Sequence, residues 1–172
     1  MKLSINASYL WNTNLPEKNE ELFLKYCKEA GFDAIDYTPG TVGWKNAVAK
    51  LLRASEKYEL PLEQSHAPFN RYKKAPIDEF KERLNISFDA AIAMGNKQIV
   101  VHCDDYPIPK DGIYDPKVAT EETYEFWAPF AEKAANNGLI MAMAYADEPG
   151  EIVIKINVEG IGEKEIKVKV EA

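Results

Sequence analysis

The chain holds two histidines, His66 and His102. Each closes a run that reads as a strand, "LPLEQSH" (60–66) and "KQIVVH" (97–102), and the second is followed at once by Cys103, Asp104 and Asp105. In α/β folds the C-terminal ends of strands carry the active site, because the loops there converge over the strand tips. A neutral imidazole is also the commonest metal ligand, and carboxylates beside it supply proton transfer or further ligation. A single histidine at a strand end more often caps a loop. Two at corresponding ends, followed by acids, favour one shared site that includes His66 and His102. Cys103 is a poor partner for His102, since adjacent strand residues point to opposite faces. Trp11, Trp44, Phe69, Tyr72 and Tyr106 fall in strand-end loops. There an aromatic ring can stack on the apolar face of a sugar, although local loop packing is the simpler expectation. "GTVG" (40–43) has neither of the common phosphate-loop spacings.

The elements that must hold these residues alternate. "KLSINA" (2–7), "FDAIDYT" (32–38), "LPLEQSH", "KQIVVH" and "GLIMAMA" (138–144) read as strands. Between them lie four helical patterns. The spacing predicts apolar faces of Leu22, Phe23, Tyr26, Cys27 and Ala30; of Val48, Leu51, Leu52 and Ser55; of Ile77, Phe80, Leu84, Phe88, Ala91 and Ile92; and of Tyr124, Trp127, Ala131 and Ala134. Thr120 is placed to cap the fourth helix and Pro129 to kink it. The unbroken apolar run of "QIVV" fits a parallel strand covered on both faces. Repeated strand–helix order implies a parallel sheet with right-handed crossovers, closed toward a barrel or opened as a doubly wound sheet. In the third and fourth strands Gln64 shares a face with His66, and Gln98 with His102.

Residues 151–172 depart from that order. Ile152, Ile154 and Ile156, then Ile166, Val168 and Val170, alternate with charged or polar residues on either side of "EGIGEKE", the pattern of a β-hairpin with one apolar face. The segment uses a narrow alphabet of the kind idealised design favours, so it reads either as a natural extension or as an engineered graft. Across the whole chain, 172 residues suit one domain: a body to residue 150, with the hairpin packed on it. A net charge of −7 with no basic cluster argues against nucleic acid. No run approaches the roughly 18 apolar residues of a membrane span. The N-terminus is a poor signal peptide, and a cytoplasmic setting follows.

"GFDAIDYTP", "EQSHAPF", "AAIAMGNKQIVVH" and "FAEKAANNGLIMAMA", in this order and spacing, resemble the sugar-phosphate isomerase/epimerase family over residues 1–144. That family has the xylose isomerase-like TIM barrel, and endonuclease IV is related to it. The resemblance implies a partial (β/α) barrel of five parallel strands, completed here by the antiparallel hairpin. It also implies a divalent metal at the C-terminal mouth and a sugar or polyol ligand. His66 and His102 fall on the family's histidines after its third and fourth strands. Asp36 falls on an acidic residue often found after the second, and Asp104, Asp105 and Trp11 are further substrate-binding candidates. Two departures weaken the site. Where the family's fifth strand ends in a metal-binding Glu, this chain has Ala144, followed by Tyr145; Asp147 and Glu148 stand just beyond. The strands that carry the remaining ligands have no counterpart. The expectation is an isomerase-like scaffold with an incomplete metal site and little catalysis, as a monomer or homodimer. An active metal-dependent isomerase completed by dimerisation, and a non-catalytic binding or structural module, are the alternatives.

Overall fold

The computed structural model describes residues 3–40, 42–68, 75–102, 116–144, 150–158 and 162–170. β1 (Ser4–Asn6) runs into a short 3₁₀ helix, Ala7–Asn12. Then follow α1 (Glu20–Glu29), β2 (Ala34–Asp36), α2 (Trp44–Tyr58), β3 (Leu62–His66), α3 (Ile77–Ala93), β4 (Gln98–His102), α4 (Pro116–Asn136) and β5 (Ile140–Ala144). All five strands pair in parallel, in the order β1-β2-β3-β4-β5. A doubly wound sheet reverses its order at a switch point, and this one does not. The sequential winding is that of a barrel, so the fold is α/β with five strands of a (β/α) barrel. Right-handed crossovers that all step the same way place the helices on one side of the sheet.

Capping chemistry sets the helix ends. Asn19 accepts the backbone N–H of Leu22 and starts α1. Glycines at φ +69° and +67°, Gly95 and Gly138, turn the chain after α3 and α4 into the next strand. α4 opens at Pro116, four residues before the expected cap at Thr120; proline suits a first helical position because its missing N–H would be unsatisfied there. Pro129 lies inside this helix.

The core lies between the sheet and the helices, in two clusters. One gathers Phe23, Leu24, Cys27, Ile35, Leu51 and Leu60; the other gathers Phe80, Leu84, Phe88, Ile99, Val101 and Trp127. The helix faces sit slightly rotated from the sequence expectation. Leu24 is fully buried while Leu22 is half-buried, and Ala54 faces the core in place of Leu52, which is 41% exposed. In α4 the buried residues are Phe126, Trp127, Phe130 and Ala134, whereas Tyr124 is 73% exposed. Phe126 and Phe130 stack with Phe80 and Phe88 across the α3–α4 seam, and this aromatic packing fixes the rotation of α4.

β4 also corrects its expectation. Ile99 and Val101 are buried, but Gln98, Val100 and His102 are half-buried, so only the helix-facing side is fully covered. The inner face of the sheet is the partly open one, and it carries the polar residues. β6 (Gly150–Val158) and β7 (Gly162–Val170) form the expected antiparallel hairpin as a two-stranded sheet of their own. Ile152 pairs with Val168 and Ile154 with Ile166, so the apolar positions are in register. The expected burial of this hairpin's apolar residues lies outside the described side chains. No helix among the described residues is long and apolar enough to cross a membrane.

Candidate functional site

The strand register determines which side chains meet. Asp36 pairs with Gln64, Gln64 with Gln98, and His66 with Val100. A register shift between Ile35 and Asp36 leaves the Asp36 carboxylate beside the β3 side chains. Asp36 is 6% exposed. Its Oδ2 lies 3.1 Å from His66 Nε2 and accepts the Gln64 amide at 3.0 Å. Gln98 donates in turn to Gln64 Oε1. A ladder of polar side chains therefore crosses three strands on the inner face: Gln98, Gln64, Asp36, His66. The carbonyl and N–H of His66 are fixed by the Thr38 hydroxyl, which donates at 2.8 Å and accepts at 2.9 Å.

The ladder also determines which nitrogen of His66 carries hydrogen. Gln64 Oε1 is occupied by Gln98, so its NH₂ faces both Asp36 and, at 3.2 Å, His66 Nε2. Asp36 is the anionic neighbour, and an N–H···O⁻ bond outweighs a neutral amide contact. Nε2 is therefore protonated toward Asp36. Nδ1 makes no hydrogen bond with the described residues. The hydrogen bond to Asp36 raises the His66 pKa, against the opposing pull of burial. The other carboxylate oxygen, Asp36 Oδ1, is buried without a partner. A cleft of about 370 Å³ is lined by Ser4, Asn6, Asp36, Gln64 and Gln98, together with Glu63 and Lys97.

The two histidines come together but are not level. His66 pairs with Val100, so His102 stands two residues nearer the mouth, and the ring centroids are 5.9 Å apart. His102 pairs in register with Ala144 on β5, at the place where the resemblance called for a glutamate. Among the described residues, no group of three or more His, Cys, Asp or Glu side chains could hold a metal ion. A catalytic zinc needs about three protein ligands, and a histidine ligand offers its metal an unprotonated nitrogen. His66 keeps Nδ1 to offer a metal, but with alanine in register with His102 the described residues do not assemble a closed divalent site. Asp104, Asp105, Phe69, Tyr72, Tyr106, Asp147 and Glu148 lie outside the described residues.

Trp11 belongs to different surroundings. Its indole N–H donates to the Tyr37 hydroxyl at 2.7 Å, and its ring meets Phe23 edge-on at 4.9 Å. Burial pushes the Tyr37 hydroxyl up to about 12, even though the Trp11 bond acts the other way. Trp11 is 44% exposed, but its fixed edge is committed to packing. The residues missed in the sequence were Gln64 and Gln98. Their signal was parity: a glutamine two residues before His66 and another four before His102, both on the histidine face.

The fold recurs in known structures. No protein-family model matches the chain, and no curated protein matches it. Solved structures do. A D-tagatose 3-epimerase-like protein aligns with a TM-score of 0.62 at 17% identity, over 83% of this chain and 52% of its own. The 3-keto-D-glucoside 4-epimerase YcjR of E. coli gives 0.58 at 15%, over 83% and 54%. An IOLI protein with a bound zinc atom gives 0.55 at 16%, over 83% and 51%. The chain thus shares the xylose isomerase-like barrel fold and spans about half the length of these structures.

Proposed function

We propose that the protein is a sugar isomerase/epimerase-like scaffold whose inner face holds a small sugar or polyol, with an incomplete metal site and little or no metal-dependent turnover. The observation that carries the reading is that the described residues bring no three His, Cys, Asp or Glu side chains into a group that could hold a metal ion. The alanine in register with His102 supports it. The epimerases among the structural neighbours support the ligand class, since the polar inner face offers both donors and acceptors to hydroxyl groups. We further take the protein to act in the cytoplasm, alone or as a homodimer, without nucleic acid or membrane partners; the free, buried Cys27 fits a reducing compartment. The narrow alphabet of 151–172 supports reading the hairpin as an engineered graft.

The test pairs calorimetric titration of the metal-stripped protein with Zn²⁺ and Mn²⁺ and an epimerisation assay on ketohexoses. The reading predicts weak metal binding and no metal-stimulated epimerisation. Tight binding with metal-stimulated turnover would establish the active isomerase instead. Weak metal binding without any saturable sugar binding would leave a purely structural module.

A further inference from the structure

We propose that the cleft beside Asp36 binds the ammonium group of a small protonated amine, with the Asp36 carboxylate as its counter-ion. It does so whether or not the inner face also carries a sugar.

The direction of the hydrogen bonds in the ladder points to this ligand. An ionised carboxylate only accepts, whereas a primary amide has an NH₂ end and an oxygen end. Asp36 Oδ2 therefore turns the NH₂ of Gln64 toward itself. That leaves Gln64 Oε1 facing β4, where it accepts from the Gln98 amide nitrogen. Gln98 must then carry its own oxygen at the far end of the ladder, and no hydrogen bond from a described residue reaches it. One acid thus sets the direction of both amides and leaves an acceptor at the end of the row.

A cavity and a charge accompany these acceptors. Asp36, Gln64 and Gln98 line the cleft of about 370 Å³ with Ser4 and Asn6, a size that admits a small molecule. Asp36 is 6% exposed, and its second oxygen, Oδ1, is buried without a partner. A buried acceptor left unpaired costs free energy, and an N–H donor removes that cost. Lys97 is held by Glu63 at 2.5 Å, so among the described lining residues no cation is left unpaired. Asp36 then gives the cleft its net negative charge. Asn6 turns the other way, its oxygen bonded to the Ser8 N–H, and a neutral NH₂ does not offset that charge. An anion, phosphate included, is repelled. An ammonium group finds a carboxylate beside the amide oxygen of Gln98 and the hydroxyl of Ser4. Hydrogen bonds that involve an ionised group are about twice as strong as neutral ones, which favours the amine over an uncharged hydroxyl compound.

The probe is methylammonium chloride, titrated into the full-length, chelator-treated protein at pH 8 and followed through the side-chain amide resonances of Gln64 and Gln98 by nitrogen-15 NMR. Tetramethylammonium, which carries the charge but no N–H, and potassium serve as controls at equal ionic strength. Methylammonium should shift both amides saturably, with an affinity about tenfold or more above either control, the difference one charge-assisted hydrogen bond supplies. This comparison is made on the parent protein and does not depend on any variant folding. Asp36→Asn should weaken methylammonium binding about tenfold or more. The exposed Ser4→Ala should weaken it by less and leave the fold unchanged. Equal shifts with tetramethylammonium or potassium, a response that does not saturate, or unchanged affinity in Asp36→Asn would each overturn the proposal.

Discussion

Asp36 and His66 decide what the inner face can do, and their coupling has a pH signature. The hydrogen bond to Asp36 raises the folded-state pKa of His66 above its usual 6.5. A raised value means the pair contributes its full stability below the unfolded imidazole's pKa, and that the contribution fades as pH rises through the higher folded one. The stability gap between the parent and His66→Gln should therefore be wide at pH 5.5 and narrow at pH 9, as measured by urea unfolding. A gap that stays constant or widens with pH would show that the ring is not charged against Asp36. The Ala144 position allows a second test. Because it lies in register with His102, Ala144→Glu places a carboxylate at the mouth and brings the donor set toward the three a metal requires. A metal that binds only the native state stabilises by RT ln(1 + [L]/Kd), about 2.7 kcal/mol at a hundredfold excess over Kd. Thermal melts with and without Zn²⁺ should show a larger metal-dependent rise for the variant than for the parent. Equal responses would place Ala144 away from the histidines. At this scale the sequence was half legible. Strand-end position picked out both histidines and the family resemblance picked out Asp36, but nothing short of the register could show that one nitrogen of His66 is bonded to Asp36.

The strands and helices were legible in kind and order, because the helical and strand repeats of apolar residues differ. Their rotation was not. In α1, Leu22 and Leu24 are equally apolar, and only packing against the sheet selects Leu24 for the core. In α4, the phenylalanines of α3 draw Phe126 and Phe130 inward and turn Tyr124 out. Truncation separates the two faces. Leu24→Ala should cost about 2–5 kcal/mol, the usual range for a filled core site. The exposed Leu52→Ala should stay within about 0.5 kcal/mol. Chemical denaturation checks both, and similar losses would mean that α2 is rotated from the position described. The hairpin poses a different question. A two-stranded hairpin is marginal alone in water. Ile152 with Val168 and Ile154 with Ile166 pair across β6 and β7, so the apolar positions fall together on one face. That face needs a partner. Deleting 151–172 should give insoluble or loosely packed protein in solubility and near-ultraviolet circular dichroism measurements. A soluble fragment that unfolds cooperatively would show that the hairpin is dispensable.

At the scale of the whole molecule, the sequential strand order makes the five-stranded sheet one stretch of a barrel wall, with helices behind it and a polar inner face in front. Periodicity alone left the winding as two alternatives, barrel or doubly wound sheet, because local pattern fixes each strand but not its neighbour; the family resemblance selected the barrel, as the strand order bears out. The fold is shared with epimerase-like structures of which this chain spans about half. Its inner face carries one buried carboxylate bonded to one histidine, and an alanine in register with the other. The central claim is that the inner face holds an incomplete metal site. Elemental analysis of the protein purified without added metal tests it most directly. The account predicts well under one equivalent of zinc, manganese or magnesium. A full equivalent, whose removal shifts the His66 and His102 ring resonances, would contradict it.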